Sequence, residues 1–188
     1  MNLKHSYNFI LTLCLLSSVL MAQEDKFPEK IETDQFYDAL GRVGHTFVGG
    51  QPTIKGLKMM TGKGVKTVVS VRTKKEMDNR ELGPFDEKKE VEKLGMHYVH
   101  IPLDGKDEPY TPEALAKFSE TMDSSKDKVL LHCTLGWRAS HMWVAYLVKH
   151  RGLDLNTAVE HGQAINLRIL PFEGLLDREV EYRYKVKK

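Results

Sequence analysis

The fold class predicted by this chain is α/β, three-layer α/β/α, with a central, mainly parallel sheet of four to five strands. Three observations carry that expectation. Short apolar runs alternate with segments of helical periodicity from about residue 45 onward, which is the pattern of strand–helix–strand units. Residues 65–71 are rich in β-branched side chains and almost continuously apolar, as a strand covered on both faces must be. The expected strand ends deliver Gln51, Arg72, Asp104 with Asp107, and Cys133. Parallel sheets gather such residues at one edge, where ligands bind.

Residues 1–22 differ in kind. Lys4 and His5 give a weakly basic start, residues 9–20 are mostly apolar, and Met21-Ala22 leads into Gln23-Glu24-Asp25-Lys26. That run is short for a membrane span and fits a secretory signal peptide, with an uncleaved anchor as the alternative. The expected product is exported, periplasmic or secreted, without stable membrane insertion after cleavage. Its only remaining cysteine would be Cys133, which then has no partner for an internal disulfide.

Residues 23–44 read as a polar lead-in anchored by Ile31, Phe36, Tyr37 and Leu40, and the domain proper spans 45–188. Its first strand, 45–48, runs into the turn Gly49-Gly50-Gln51-Pro52. Thr53 caps a helix through Leu57, Met59 and Met60 that Gly62 and Gly64 stop. The second strand, 65–71, ends at Arg72. A charged loop, 73–83, precedes a helix over 85–94 stopped by Gly95. The third strand, 96–101, leads into the loop 102–109. Thr111-Pro112 opens the next helix, Thr as cap and Pro at the first position. The fourth strand, 128–132, precedes a helix over 138–150, on which Trp143, Tyr146 and Leu147 are spaced as a core stripe. Asp154 caps another helix, and a last amphipathic helix covers 173–184 before a Lys-rich tail.

Composition narrows the function. With 41% apolar and 29% charged residues over 188 positions, the chain suits one core and a polar surface. A net charge of +2 makes no case for a polyanion, and no nucleic-acid partner is expected. Two distant cysteines cannot build a zinc site, and His97 and His100 fall on opposite faces of a strand. No metal and no cofactor is expected.

The chemistry concentrates in residues 129–140. A buried strand, 129–131, and a helix from Arg138 enclose a tight loop with a thiol at its start and a guanidinium at its end. A helix N-terminus presents unpaired N–H groups and a positive dipole end, so the turn feeding it is an anion site. Gly136 lets the amides of Thr134, Leu135, Gly136 and Trp137 converge on one point. Arg138 adds a planar fork matched to two oxygens of an oxyanion. The same donors favour a nucleophilic thiolate at Cys133. A lone Cys at a strand end more often behaves as a small buried hydrophobe. Glycine and arginine at these offsets tip the balance towards function.

His132-Cys133-x-x-Gly136-x-Arg138 resembles the phosphate-binding signature of cysteine-dependent protein tyrosine and dual-specificity phosphatases. The beta-lactamase hydrolase-like phosphatase family is a closer match. Gly50-Gln51-Pro52, Val68-Val69-Ser70-Val71-Arg72, His100-Ile101-Pro102 and the His132–Arg138 loop reproduce its order of motifs over about 45–165. The resemblance implies the phosphatase-type fold, a nucleophile at Cys133, phosphate binding by Arg138 and an acid from the Asp104 loop. It implies a phosphate monoester as substrate, on a protein or small molecule, turned over through a phosphocysteine intermediate. The loop has four residues between Cys and Arg where tyrosine phosphatases have five, and Ala139 stands where many carry Ser or Thr. That shorter cradle is typical of rhodanese relatives, so a sulfurtransferase carrying a persulfide on Cys133 is the alternative. A non-catalytic oxyanion-binding module is a third reading.

The other candidates have plainer readings beside the functional one. Asp104 and Asp107 are equally turn formers; Asp104 is the candidate acid, with Asp107 as the alternative. Arg72 is a substrate ligand at a strand end or a structural cation paired with Glu76. Gln51 organises its turn, and His132 is a strand histidine that can orient the loop.

Overall fold

The computed structural model describes residues 27–185 except Leu82 and Leu170. The expected signal peptide and the end of the Lys-rich tail lie outside the described residues. Four parallel strands form the centre of the sheet: β3 (Thr46–Gly49), β4 (Val65–Ser70), β5 (His97–His100) and β6 (Lys128–His132). Among the described residues the sheet has six strands, in the order β1-β2-β3-β6-β4-β5. The two beyond expectation, β1 (Glu29–Lys30) and β2 (Leu40–Val43), come from the lead-in and pair antiparallel. The Gly44-His45 turn folds β2 back onto β3, with Gly44 at φ 55.

Period-two alternation divides the core between the two faces. Val129 and Leu131 of β6 face one side and pack with Met142, Trp143, Tyr146 and Phe118. Leu130 faces the other and packs with Leu57, Met60, Val68 and Val91. Helices therefore cover both sides. The first face carries α4 (Pro112–Ser124), α5 (Trp137–Arg151), α6 (Leu155–Ile165) and α7 (Glu173–Leu176), and the second carries α1 (Ile54–Gly62) and α3 (Glu87–Lys93). Trp143 and Tyr146 are fully buried, and burying a large apolar side chain contributes about 1.5–3 kcal/mol.

The capping residues act as the spacing requires. Thr53 accepts the Gly56 amide at 3.0 Å, Thr111 the Ala114 amide at 3.2 Å and Asp154 the Thr157 amide at 3.1 Å. Two segments depart from expectation. The charged loop 73–83 contains a helix, α2 (Lys74–Asn79), and the last helix stops at Leu176 because Asp177 turns left-handed at φ 53. Helix α2 buries none of its residues, so apolar periodicity gave no sign of it. Among the described residues no helix is long and apolar enough to cross a membrane.

Candidate active site

The carboxyl end of β6 feeds the loop that opens α5. Neighbouring backbone pins it: the Cys133 amide donates to Gly49 O at 3.2 Å and the Gln51 amide to Thr134 O at 2.9 Å. Gly136 sits at φ 86 with Gly49 C only 3.3 Å from where a Cβ would be, so the turn requires glycine. Its amide points at the thiol, 3.1 Å from Cys133 Sγ. Gly136 is also the N-cap of α5 and offers no side-chain cap. The first-turn amides of α5 are thereby left for an anion.

Arg138 emerges from that turn. Its Nη1 donates to Glu76 Oε2 at 2.8 Å and to Leu103 O at 2.7 Å, and its Nη2 donates to Glu76 Oε1 at 2.5 Å. Glu76 also accepts Thr134 Oγ1 at 2.7 Å and the Thr73 amide at 2.8 Å. Burial works to raise the Glu76 pKa, but hydrogen bonds from Arg138, Thr134 and Thr73 outweigh it and bring the value to about 2. Burial likewise opposes the charge on Arg138, whose pKa the Glu76 pair nonetheless raises. Glu76 is thus a fixed anion that holds the arginine by its outer edge. Nη2 also lies 3.4 Å from Thr134 Oγ1, and among the described residues Nε–H donates to no protein group, so it is left for a ligand.

A cleft of about 500 Å³ opens over Cys133, with Tyr110, Leu135 and Trp137 among its walls. Asp104 lies on its rim. Hydrogen bonds from the Glu108 and Lys106 amides lower the Asp104 pKa, and Asp104 Oδ1 accepts them at 3.0 and 2.7 Å. The turn reading of Asp104 therefore holds alongside its place in the cleft. Asp107 is not among the lining residues. A depression of about 530 Å³ among Lys66, His97 and Thr121 lies at the amino ends of β4 and β5, away from this chemistry. Among the described residues no three His, Cys, Asp or Glu gather as a metal site would.

Cys133, Thr134, Leu135, Trp137, Arg138 and Asp104 line one cleft, and Gly136 reaches it through its amide. Arg72 does not join them. It is 4% exposed, donating to Gln51 Oε1 at 2.7 Å and Glu76 O at 2.8 Å, and it is not among the residues lining the cleft. The expected pairing with Glu76 reaches only that residue's carbonyl. Gln51 is the organiser expected of it, donating also to buried Glu87 at 2.7 Å. His132 lies against Glu87, 3.2 Å away, and burial lowers its pKa. Glu76 and Tyr110 were missed. The Thr73-x-x-Glu76 spacing is a capping box readable in sequence, but its second task at Arg138 is not. Burial raises the Tyr110 pKa.

A thiol at the end of a central parallel strand, an uncapped helix start and a braced arginine define a cysteine-dependent phosphatase. Residues 33–169 match the model of the family described as DSP-PTPase phosphatase fused to NAD+ kinase, and the chain belongs to that family. No curated protein sequence matches it. Among solved structures, a DUF442 candidate phosphatase from Shewanella putrefaciens CN-32 is 26% identical, covers 75% of this chain and 90% of its own, and has a TM-score of 0.59. TpbA from P. aeruginosa, in complex with pTyr, is 15% identical over 75% of this chain and 80% of its own, at a TM-score of 0.58. At that identity TpbA shares the fold. Tk-PTP in its active form is 25% identical over 65% of this chain and 80% of its own, at a TM-score of 0.54. These matches give no support to the sulfurtransferase alternative.

Proposed function

We propose that Cys133 is the nucleophile of phosphate monoester hydrolysis. Its sulfur attacks phosphorus, the ester P–O bond breaks, and the leaving oxygen takes a proton from the Asp104 loop. Water then attacks the phosphocysteine, giving a proton back to the Asp104 loop; the S–P bond breaks to restore the Cys133 thiolate, and inorganic phosphate leaves. The amides of residues 134–137 and the Nε–H edge of Arg138 hold the non-bridging oxygens. The observation carrying this reading is the Gly136 amide 3.1 Å from Cys133 Sγ at the mouth of an uncapped helix. The Asp104 turn stabilises the carboxylate form, so acid assistance is weak and good leaving groups are favoured. Aromatic walls at Tyr110 and Trp137 point the same way, towards aryl phosphates ahead of alkyl ones.

The test compares the purified protein with Cys133→Ser, on an aryl phosphate and on thiosulfate with a cyanide acceptor. Phosphate release that disappears in the variant is expected. Cys133-dependent thiocyanate formation without phosphate release would overturn the reading. Export is a separate part of the proposal, supported by the apolar run 9–20 and the charged switch at Gln23. N-terminal sequencing of the periplasmic or secreted protein should begin near Gln23, whereas an intact Met1 in a cytoplasmic pool would refute export.

A further inference from the structure

Most arginine side chains whose contacts the structure defines meet an acid or a carbonyl, as Arg138 meets Glu76 and Arg151 meets Asp123. Arg168 is different. Its guanidinium lies over the Trp137 ring, 5.1 Å from the centroid, and no carboxylate pairs with it among the described residues. Trp137 belongs to the catalytic loop, walls the cleft and stays 37% exposed.

The backbone leading to Arg168 is held in place by its neighbours. Asn166 donates to Leu135 O and to Asp38 Oδ2, each at 2.7 Å, tying this segment to the catalytic loop and to the turn before β2. Leu167 is buried, and its carbonyl accepts the Tyr184 hydroxyl at 2.9 Å. An arginine stacked on an aromatic face keeps its N–H edges free, and that planar fork fits a carboxylate or phosphate. Sheet order gives the cleft a polarity. Cys133 follows β6, Asp104 follows β5 on one side, and the Asn166–Arg168 segment joins the β2–β3 side through Asp38 and Leu135. Asp104 sets a carboxylate on one side of Cys133, and Arg168 sets a guanidinium on the other, where the Asp38 carboxylate is already engaged by Asn166.

We propose that Arg168, carried on Trp137, is a specificity-determining cation that takes a second anionic group of the substrate, a carboxylate or a phosphate. The leaving group spans from the phosphoryl pocket at Cys133 to that cation. The proposal rests on the phosphatase reading above, and it concerns which esters are chosen rather than how they are cleaved.

Two substrate pairs test it. One is phenyl phosphate beside 4-(phosphonomethyl)phenyl phosphate. The other is a phosphotyrosine peptide flanked by Glu beside its Gln twin. At least one anion-bearing member should be preferred about fivefold in kcat/KM, through KM, as a partly exposed charge pair allows. The pair that shows the preference tells whether phosphate or carboxylate is read. Arg168→Gln should abolish the preference. Equal use of both members in both pairs, or a preference that survives Arg168→Gln, would overturn the proposal. The same ligands titrated onto Cys133→Ser protein give the preference as a ratio of Kd values without turnover. If no Cys133-dependent phosphate release is seen, the phosphatase reading fails, while the Kd ratio still decides the role of Arg168.

Discussion

Glu76 accepts four hydrogen bonds, from the Thr73 amide, Thr134 Oγ1 and both terminal nitrogens of Arg138, which is all a carboxylate can take. Glu76→Gln keeps the shape but supplies only one acceptor oxygen, leaving part of a half-buried guanidinium unpaired. The expected cost is about 1–3 kcal/mol, by the usual penalty of an unsatisfied buried partner, with KM rising because Arg138 no longer presents one fixed edge. Steady-state kinetics and a thermal melt on the same variant check both halves. Arg138→Lys keeps the charge and removes the fork, so kcat/KM should drop at least tenfold, about 1.4 kcal/mol. Unchanged activity with Lys would clear Arg138 of the oxyanion role. With Asp104 as the acid, Asp104→Asn should slow alkyl phosphates more than aryl phosphates while Asp107→Asn does little; the reverse ranking moves the role to Asp107. Cys133, Gly136 and Arg138 were legible because a strand, a turn and a helix start bring them together within six positions. Glu76 was not, since it meets Arg138 across 62 positions through a tertiary contact that no local pattern encodes.

Helix α2 exists to deliver that contact. Six residues with none buried make no helix on their own, and the Thr73–Glu76 capping box is what fixes the first turn. Thr73→Ala should therefore cost about 1 kcal/mol of stability, a fall of some 2–4 °C in Tm for a chain of this size. It should also lower kcat/KM, because the same turn aims Glu76. A Tm loss with full activity would separate the cap from the site. Sequence found the strands covered on both faces and the helices opened by Thr53, Thr111 and Asp154, where caps and periodicity coincide. It missed β1 and β2, which are too short to alternate visibly, and it carried the last helix past Asp177, where a single left-handed residue ends it.

Across the whole molecule, acid should act in two stages. Burial holds His132 and His141 neutral, His141 with its pKa lowered from 6.5 to about 3. The unfolded chain takes up those protons first, so their contribution is whole above pH 6.5 and declines as pH falls below it. Glu76, lowered from 4.5 to about 2, contributes fully above pH 4.5 and loses that contribution as pH falls towards 2. Tm measured against pH should decline from near neutrality and steepen below 4.5, and Glu76→Gln should flatten only the lower limb. An identical profile in the variant would show that the Glu76 carboxylate contributes no such pH-dependent stability. The parallel order that gathers Cys133, Asp104 and Arg138 at one end was legible as a whole, because alternation alone implies it. The antiparallel flank was not, and it has a consequence for how molecules meet one another. Strand β1 is two residues, Glu29 and Lys30, both charged and exposed, laid along Leu40–Val43. A short charged strand makes a poor template for another chain. A chain shortened to begin at Glu32 would lose it, together with the Ile31 amide bond to Leu40 O at 2.8 Å. The uncovered β2 edge should then recruit a second molecule, seen as light scattering that grows with protein concentration and is weaker when β1 is kept.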